Sequence, residues 1–290
     1  MEHAEDIEKW LSDAAQKIQE KDTSGAEKLY ERILRIQSDH QDALISLGML
    51  YVATGRGPLA LKKLQESQKE NPESSGPYRA IGTIIRISGH LGLGERFFLS
   101  KIDSAGPAKP FVMLSLAEIY AAMGQKEELI GQLKLLQEFP STEPFSQALL
   151  WMEASVPEGM LKLASQQSGS LQKTLEGMAA EIQSDWEKAA QLYFEASRMG
   201  DPTWYSLTSL GALWLSSGHL DNCKRYLEVA EKEAPNVSEL QLTRARYLAA
   251  QGYKEDARLL LQKIAESPGN FMRTKQIAKA LLQQIASTPT

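Results

Sequence analysis

Residues 41–72 read QDALISLGMLYVATGRGPLALKKLQESQKENP. Leu44, Leu47, Gly48 and Tyr51 stand at the i, i+3, i+4, i+7 steps of one helix face. Ala60 and Leu64 repeat the one-turn step in a second segment, Gly55 supplies the turn between them, and Pro72 punctuates the end. The stretch predicts two amphipathic helices folded back on one another.

The same signals recur at a fixed interval. Gly48 and Gly82 are 34 residues apart, as are Gly55 and Gly89, Gly177 and Gly211, and Gly218 and Gly252. The first glycine of each pair is expected to let the two helices of a hairpin approach closely, and the second to permit the turn between them. Small residues at the start of the second helix form a third ladder of Ala26, Ala60, Gly94, Ala189, Cys223 and Ala257. A period of this length marks a stack of supersecondary units.

These ladders resemble the tetratricopeptide repeat. Leu44, Leu47, Gly48, Tyr51, Ala60, Leu64 and Pro72 follow the family pattern, and Leu207, Leu210, Gly211, Trp214, Cys223, Leu227, Ala230 and Pro235 follow it again. Trp10, Ala14, Ala26 and Tyr30 match in the first repeat, and Trp186, Ala189, Tyr193 and Ala196 in the sixth. The resemblance implies an all-α fold, a right-handed α-solenoid of about eight such hairpins, with a C-terminal capping helix. Repeat starts fall near residues 7, 41, 75, 110, 170, 204 and 238. The interval from 110 to 170 is too long for one repeat, and PFSQALLWMEASVPEGMLKLASQQSG within it predicts a truncated fifth repeat of two short helices, with Pro157 in the first turn of the second. The expected organisation is a four-repeat arm over 1–140, a short degenerate repeat and candidate hinge over 141–169, a three-repeat arm over 170–270, and a capping helix and tail over 271–290. In that last helix Phe271, Ile277, Ala278, Leu281, Leu282 and Ile285 are expected to face the stack.

Composition narrows the function classes. Lys and Arg number 32 against 37 Asp and Glu, and the net charge is −3 over residues 1–140 and −2 over 141–290. No half carries the cation cluster that tracking phosphates requires, so nucleic acid is not an expected partner. No stretch reaches the length of apolar sequence that spans a bilayer, so membrane insertion is not expected. The opening MEHAEDIEKW is acidic and polar, unlike a secretory signal, and Cys223 is the one cysteine; a cytoplasmic protein is expected.

Little in the chain points to chemistry. His3, His40, His90 and His219 lie far apart, and the latter pair occupies equivalent turns; no metal site is expected. Cys223 sits on the small-residue ladder and reads as a packed thiol. GHLGLGE near Gly89 has the wrong glycine spacing for a phosphate loop and no preceding strand. Asn236-Val237-Ser238 is a glycosylation acceptor only in a secreted chain. No cofactor, catalytic residue or enzyme activity is expected.

The resemblance implies partner binding on the inner face, made by the first helix of each hairpin. By phase those positions are Ile45, Met49 and Val52; Arg79, Thr83 and Arg86; Leu114 and Glu118; Thr208, Ala212 and Leu215; and Leu242 and Arg246. Met49, Thr83 and Glu118 stand where the family's carboxylate clamp has asparagine, which disfavours that clamp. The expected function is a non-enzymatic scaffold or adaptor holding a helical or extended segment of another protein, with Arg79 and Arg86 reading an acidic flank. The alternatives are a self-assembling structural protein and an accessory subunit of a bacterial secretion, envelope or polysaccharide-synthesis machine.

Overall fold

The computed structural model describes residues 4–287, with side chains from residue 6. His3 and the tail 288–290 lie outside the described residues. Among those described there are seventeen α-helices and no strand, and the chain is an all-α solenoid. In chain order the hairpins are α1 (Ala4–Gln19) with α2 (Thr23–Ile36), α3 (Gln41–Ala53) with α4 (Gly57–Glu70), and α5 (Ser75–Ile87) with α6 (Leu91–Lys101), followed by the helices α7 (Lys109–Met123) and α8 (Lys126–Leu136). The short α9 (Pro144–Ala154) and α10 (Pro157–Ala164) follow, then α11 (Gly169–Ile182) with α12 (Trp186–Ser197), α13 (Trp204–Ser216) with α14 (Leu220–Glu233), and α15 (Ser238–Ala250) with α16 (Lys254–Glu266). A single helix, α17 (Met272–Ser287), is the last of the described elements. Two compact units divide the chain, Met1–Ile119 and Tyr120–Thr290, with the boundary inside α7.

The turn ladder has a direct backbone cause. Gly55, Gly89, Gly218 and Gly252 have φ of +75°, +73°, +79° and +92°, the left-handed conformation that closes each hairpin. The same place in other hairpins is held by residues with a side chain: Lys21 and Ser184 at φ +62°, and Ser155 at +56°. Sequence spacing finds the glycines; the conformation persists where glycine is absent. Several helix starts are capped in the ordinary way: Asp22 accepts from the Gly25 amide at 2.9 Å, and Thr203 from that of Ser206 at 3.2 Å. His40 does the same through Nδ1 for the Ala43 amide, which gives this histidine a structural role.

The first glycine ladder works differently in the two units. A Cβ on Gly177 would lie 2.6 Å from the Tyr193 ring, and one on Gly211 would meet Tyr226 and the Cys223 carbonyl, so there the glycine does face the second helix of its own hairpin. In the first unit a Cβ on Gly48 would strike Ile84 at 2.7 Å, and one on Gly82 would strike Ser115 at 2.9 Å. Those glycines chiefly let successive first helices approach each other, which corrects the expectation of a purely intra-hairpin role. The α9–α10 pair uses a third arrangement. Trp151 of α9 is buried over Gly159 of α10, where a Cβ would be 2.6 Å from the indole. One large ring against one missing side chain gives an eight-residue helix a core contact.

Candidate functional site

Three of the eight inner-face positions of the first unit, Arg79, Leu114 and Glu118, are committed to its interior. On α5, Arg79 donates from Nη2 to Glu118 Oε1 on α7 at 2.8 Å and from Nη1 to the Ser115 hydroxyl at 3.2 Å. Arg86, two turns along the same helix, places Nε 3.9 Å from the other oxygen of Glu118. Burial acts to raise the Glu118 carboxyl, but the two guanidinium charges and the Arg79 hydrogen bond outweigh it and hold the group below the usual carboxylate range. Arg79 and Glu118 are both buried, so the reading of Arg79 as a reporter of an acidic partner is corrected: its charge is spent on Glu118. Leu114 has no exposed surface and offers nothing to a partner. Met49 is 47% exposed, and Ile45, Val52, Thr83 and Arg86 are half-buried.

In the second unit the predicted positions converge. Thr208, Ala212, Leu242 and Arg246 line one groove of about 630 Å³, and Leu215 joins Arg246 in an adjoining hollow that shares Leu281 and Gln284 with it. The volume lies in the range of ligand-holding clefts. Thr208 and Leu242 are largely buried in its floor, while Ala212, Leu215 and Arg246 are half-buried. Trp186, at the start of α12, stands at the groove and is 57% exposed. The opposite wall comes from α17, whose Ile277 and Leu281 are one turn apart on a shared face. Ile277 is 36% exposed, so the expectation that it packs into the stack is corrected: it looks into the groove.

A polar cluster closes one end. Glu181 of α11 accepts from the Tyr193 hydroxyl at 2.8 Å and from that of Tyr205 at 3.3 Å, and Arg273 Nη2 approaches to 3.9 Å. Burial pushes both phenols well above the usual tyrosine value, with the neighbouring Glu181 charge acting in the same direction, so they remain donors at neutral pH. The Arg273 amide in the first turn of α17 donates to Glu153 Oε1 on α9 at 2.7 Å. Burial raises the Glu153 carboxyl, and the Arg273 amide and charge only partly offset that. The Thr274 hydroxyl donates to Glu239 on α15 at 3.1 Å. Thus α17 is held by three carboxyl groups on three earlier helices. Trp186, Glu181, Glu239, Arg273, Ile277 and Leu281 are absent from the sequence-derived set. Glu239 was within reach of it, since 239, 242 and 246 form one helical stripe.

Among the described residues no group of three His, Cys, Asp or Glu side chains could hold a metal ion, and no helix is long and apolar enough to cross a membrane. The fold and the groove therefore define a class: an all-α array of short antiparallel helical hairpins with a lined inner face. Residues 17–81 match the family model described as tetratricopeptide repeat, and the same glycine and small-residue spacing continues in the later hairpins. Repeats of this kind generally mediate protein–protein interaction and are generally non-catalytic. No curated protein sequence matches the chain. Among solved structures, it is similar to a tetratricopeptide-repeat protein from Parabacteroides merdae, with 13% identity, covering 98% of this chain and 100% of that one, at a TM-score of 0.40. It is also similar to pilF of Pseudomonas aeruginosa, with 14% identity over 84% of this chain and 99% of that one, at a TM-score of 0.35. A chain of the APC/C hetero-tetramer Cut9-Hcn1 shows 16% identity over 91% of this chain, at a TM-score of 0.42; 52% of that chain is covered, so the present chain spans about half its length. Identities and scores this low establish nothing about function.

Proposed function

We propose that the protein is a non-enzymatic interaction module that holds a segment of another protein in the groove bounded by α13, α15 and α17. The observation that carries this reading is the convergence of exposed Trp186 and Ile277 and half-buried Ala212, Arg246 and Leu281 on one cleft of about 630 Å³. Aromatic and aliphatic anchors around a few polar groups are what a protein segment needs for burial with orientation. In this reading the first unit, with its Arg79–Glu118 pair buried, is chiefly scaffold, and the protein works in the cytoplasm.

The test is affinity capture from native lysate with Ala212→Arg and Trp186→Glu in the groove and Met49→Glu in the first unit. Loss of a captured partner in the two groove variants, with far-UV circular dichroism unchanged and Met49→Glu unaffected, supports the assignment. Undiminished capture by both groove variants overturns it.

A further inference from the structure

The charges along α15 carry the reading further. Glu239 and Arg246 both line the groove, with Leu242 and Thr243 between them. They are seven residues apart on one helix, hence on one face and about 10.5 Å apart along the axis. Among the described residues neither forms an ion pair. Among the described residues Arg246 has one polar partner, the Ser216 hydroxyl at 3.2 Å, and no carboxyl group pairs with it. That hydroxyl is itself committed to the Ala212 carbonyl at 2.9 Å. Glu239 receives the Thr274 hydroxyl and pairs with no cation among the described residues, and Arg273 Nη2 lies 3.9 Å from Glu181. The groove thus presents an acid, an apolar step and a base in order along α15, facing the Ile277 and Leu281 pair of α17.

Resting on the proposed groove, we infer that its occupant is an amphipathic helix bearing one cation and one anion seven residues apart, with apolar side chains between them. The cation sits at Glu239 and the anion at Arg246. A helix places residues i and i+7 on the same face about 10.5 Å apart, with i+3 and i+4 beside them to meet Leu242, Ile277 and Leu281. An extended segment cannot match this spacing. Its same-face residues recur at roughly 6.6 and 13 Å, and residues about 10 Å apart point to opposite sides. Complementary charge at both ends sets register and rejects segments bearing two like charges.

Three fluorescein-labelled helical peptides of about 18 residues test this by anisotropy. All share one Ala/Leu face, and the two positions seven apart carry Lys and Glu, Lys and Lys, or Glu and Glu. The wild-type protein is expected to prefer the Lys/Glu peptide by roughly tenfold. Arg246→Glu moves the preference to Lys/Lys, and Glu239→Lys moves it to Glu/Glu. Arg246→Gln, a smaller change, abolishes the discrimination between Lys/Glu and Lys/Lys. Equal binding of all three peptides by wild type and variants overturns the charge inference while leaving the groove in place. Binding of none of them overturns the groove reading as well.

Discussion

Arg79 and Glu118 meet at 2.8 Å between two first helices of successive hairpins, 39 residues apart in sequence and both shielded from water. A pair of this kind offsets its own desolvation; removing one partner strands the other. Glu118→Ala is expected to lower the unfolding free energy by about 3–5 kcal/mol, read by urea denaturation. Arg79→Met combined with Glu118→Leu costs less than Glu118→Ala alone. The pH response has a defined direction. Because the folded state holds the Glu118 carboxyl below its ordinary value, its contribution is complete above roughly pH 4.3 and is lost as pH falls through the lower folded value. Glu118→Gln removes that part of the acid limb.

Gly159 lies under the Trp151 ring, whereas Gly131 on α8 has open space where a Cβ would go. Gly159→Ala forces the indole or α10 to move and should destabilise by about 1–3 kcal/mol. Gly131→Ala, in an exposed helix interior, should stabilise by about 0.5–1 kcal/mol. Thermal melts of the two variants shift in opposite directions, and a shared direction would contradict the packing described.

Ser184 occupies a left-handed hairpin turn with φ +62°. Ser184→Gly relieves the Cβ–carbonyl conflict and should stabilise by roughly 1 kcal/mol, less the extra freedom that glycine gives the unfolded chain. Gly218→Ala, at the corresponding turn, is expected to lose a similar amount. Paired chemical denaturation of these two variants isolates the turn from packing, because nothing lies within 4 Å of the Gly218 Cβ position.

Cys223 is fully buried, and burial raises its thiol to about 11. Both facts suppress the thiolate. Labelling by an aromatic disulfide at about pH 8, near the ordinary thiol value, should therefore proceed only through opening of the α13–α14 hairpin, and should speed up in step with added denaturant. Prompt stoichiometric labelling of the native protein would contradict this burial.

Most of the architecture could be read from residue spacing because its causes are local. Glycine at a left-handed turn, a small residue where helices cross, and an apolar stripe each leave a mark in one short stretch. The short helices α9 and α10 are legible for the same reason, since Pro157 and the apolar runs around it announce two helices. The site was legible only where it repeats the hairpin phase: Thr208, Ala212, Leu215, Leu242 and Arg246 share the groove or its adjoining hollow. Phase alone does not separate a surface position from one covered by the next hairpin, which is why Leu114, Arg79 and Glu118 fell in the same set. The α17 wall was hidden for another reason. Ile277 reads as a core residue of a cap, and only the tertiary placement shows it exposed at the cleft, while Leu281 both packs on the stack and borders the cleft.

A stack in which each hairpin touches only its neighbours has two free ends and can unzip from either. The bond from the Arg273 amide to Glu153 spans 120 residues and returns the last helix of the second unit to α9. Within that unit the order of neighbours becomes a loop, so losing the last helix is felt at α9 as well as at α15 and α16. Detaching α17 as a whole breaks this long-range contact, which adds sequence-distant contacts to an otherwise local fold.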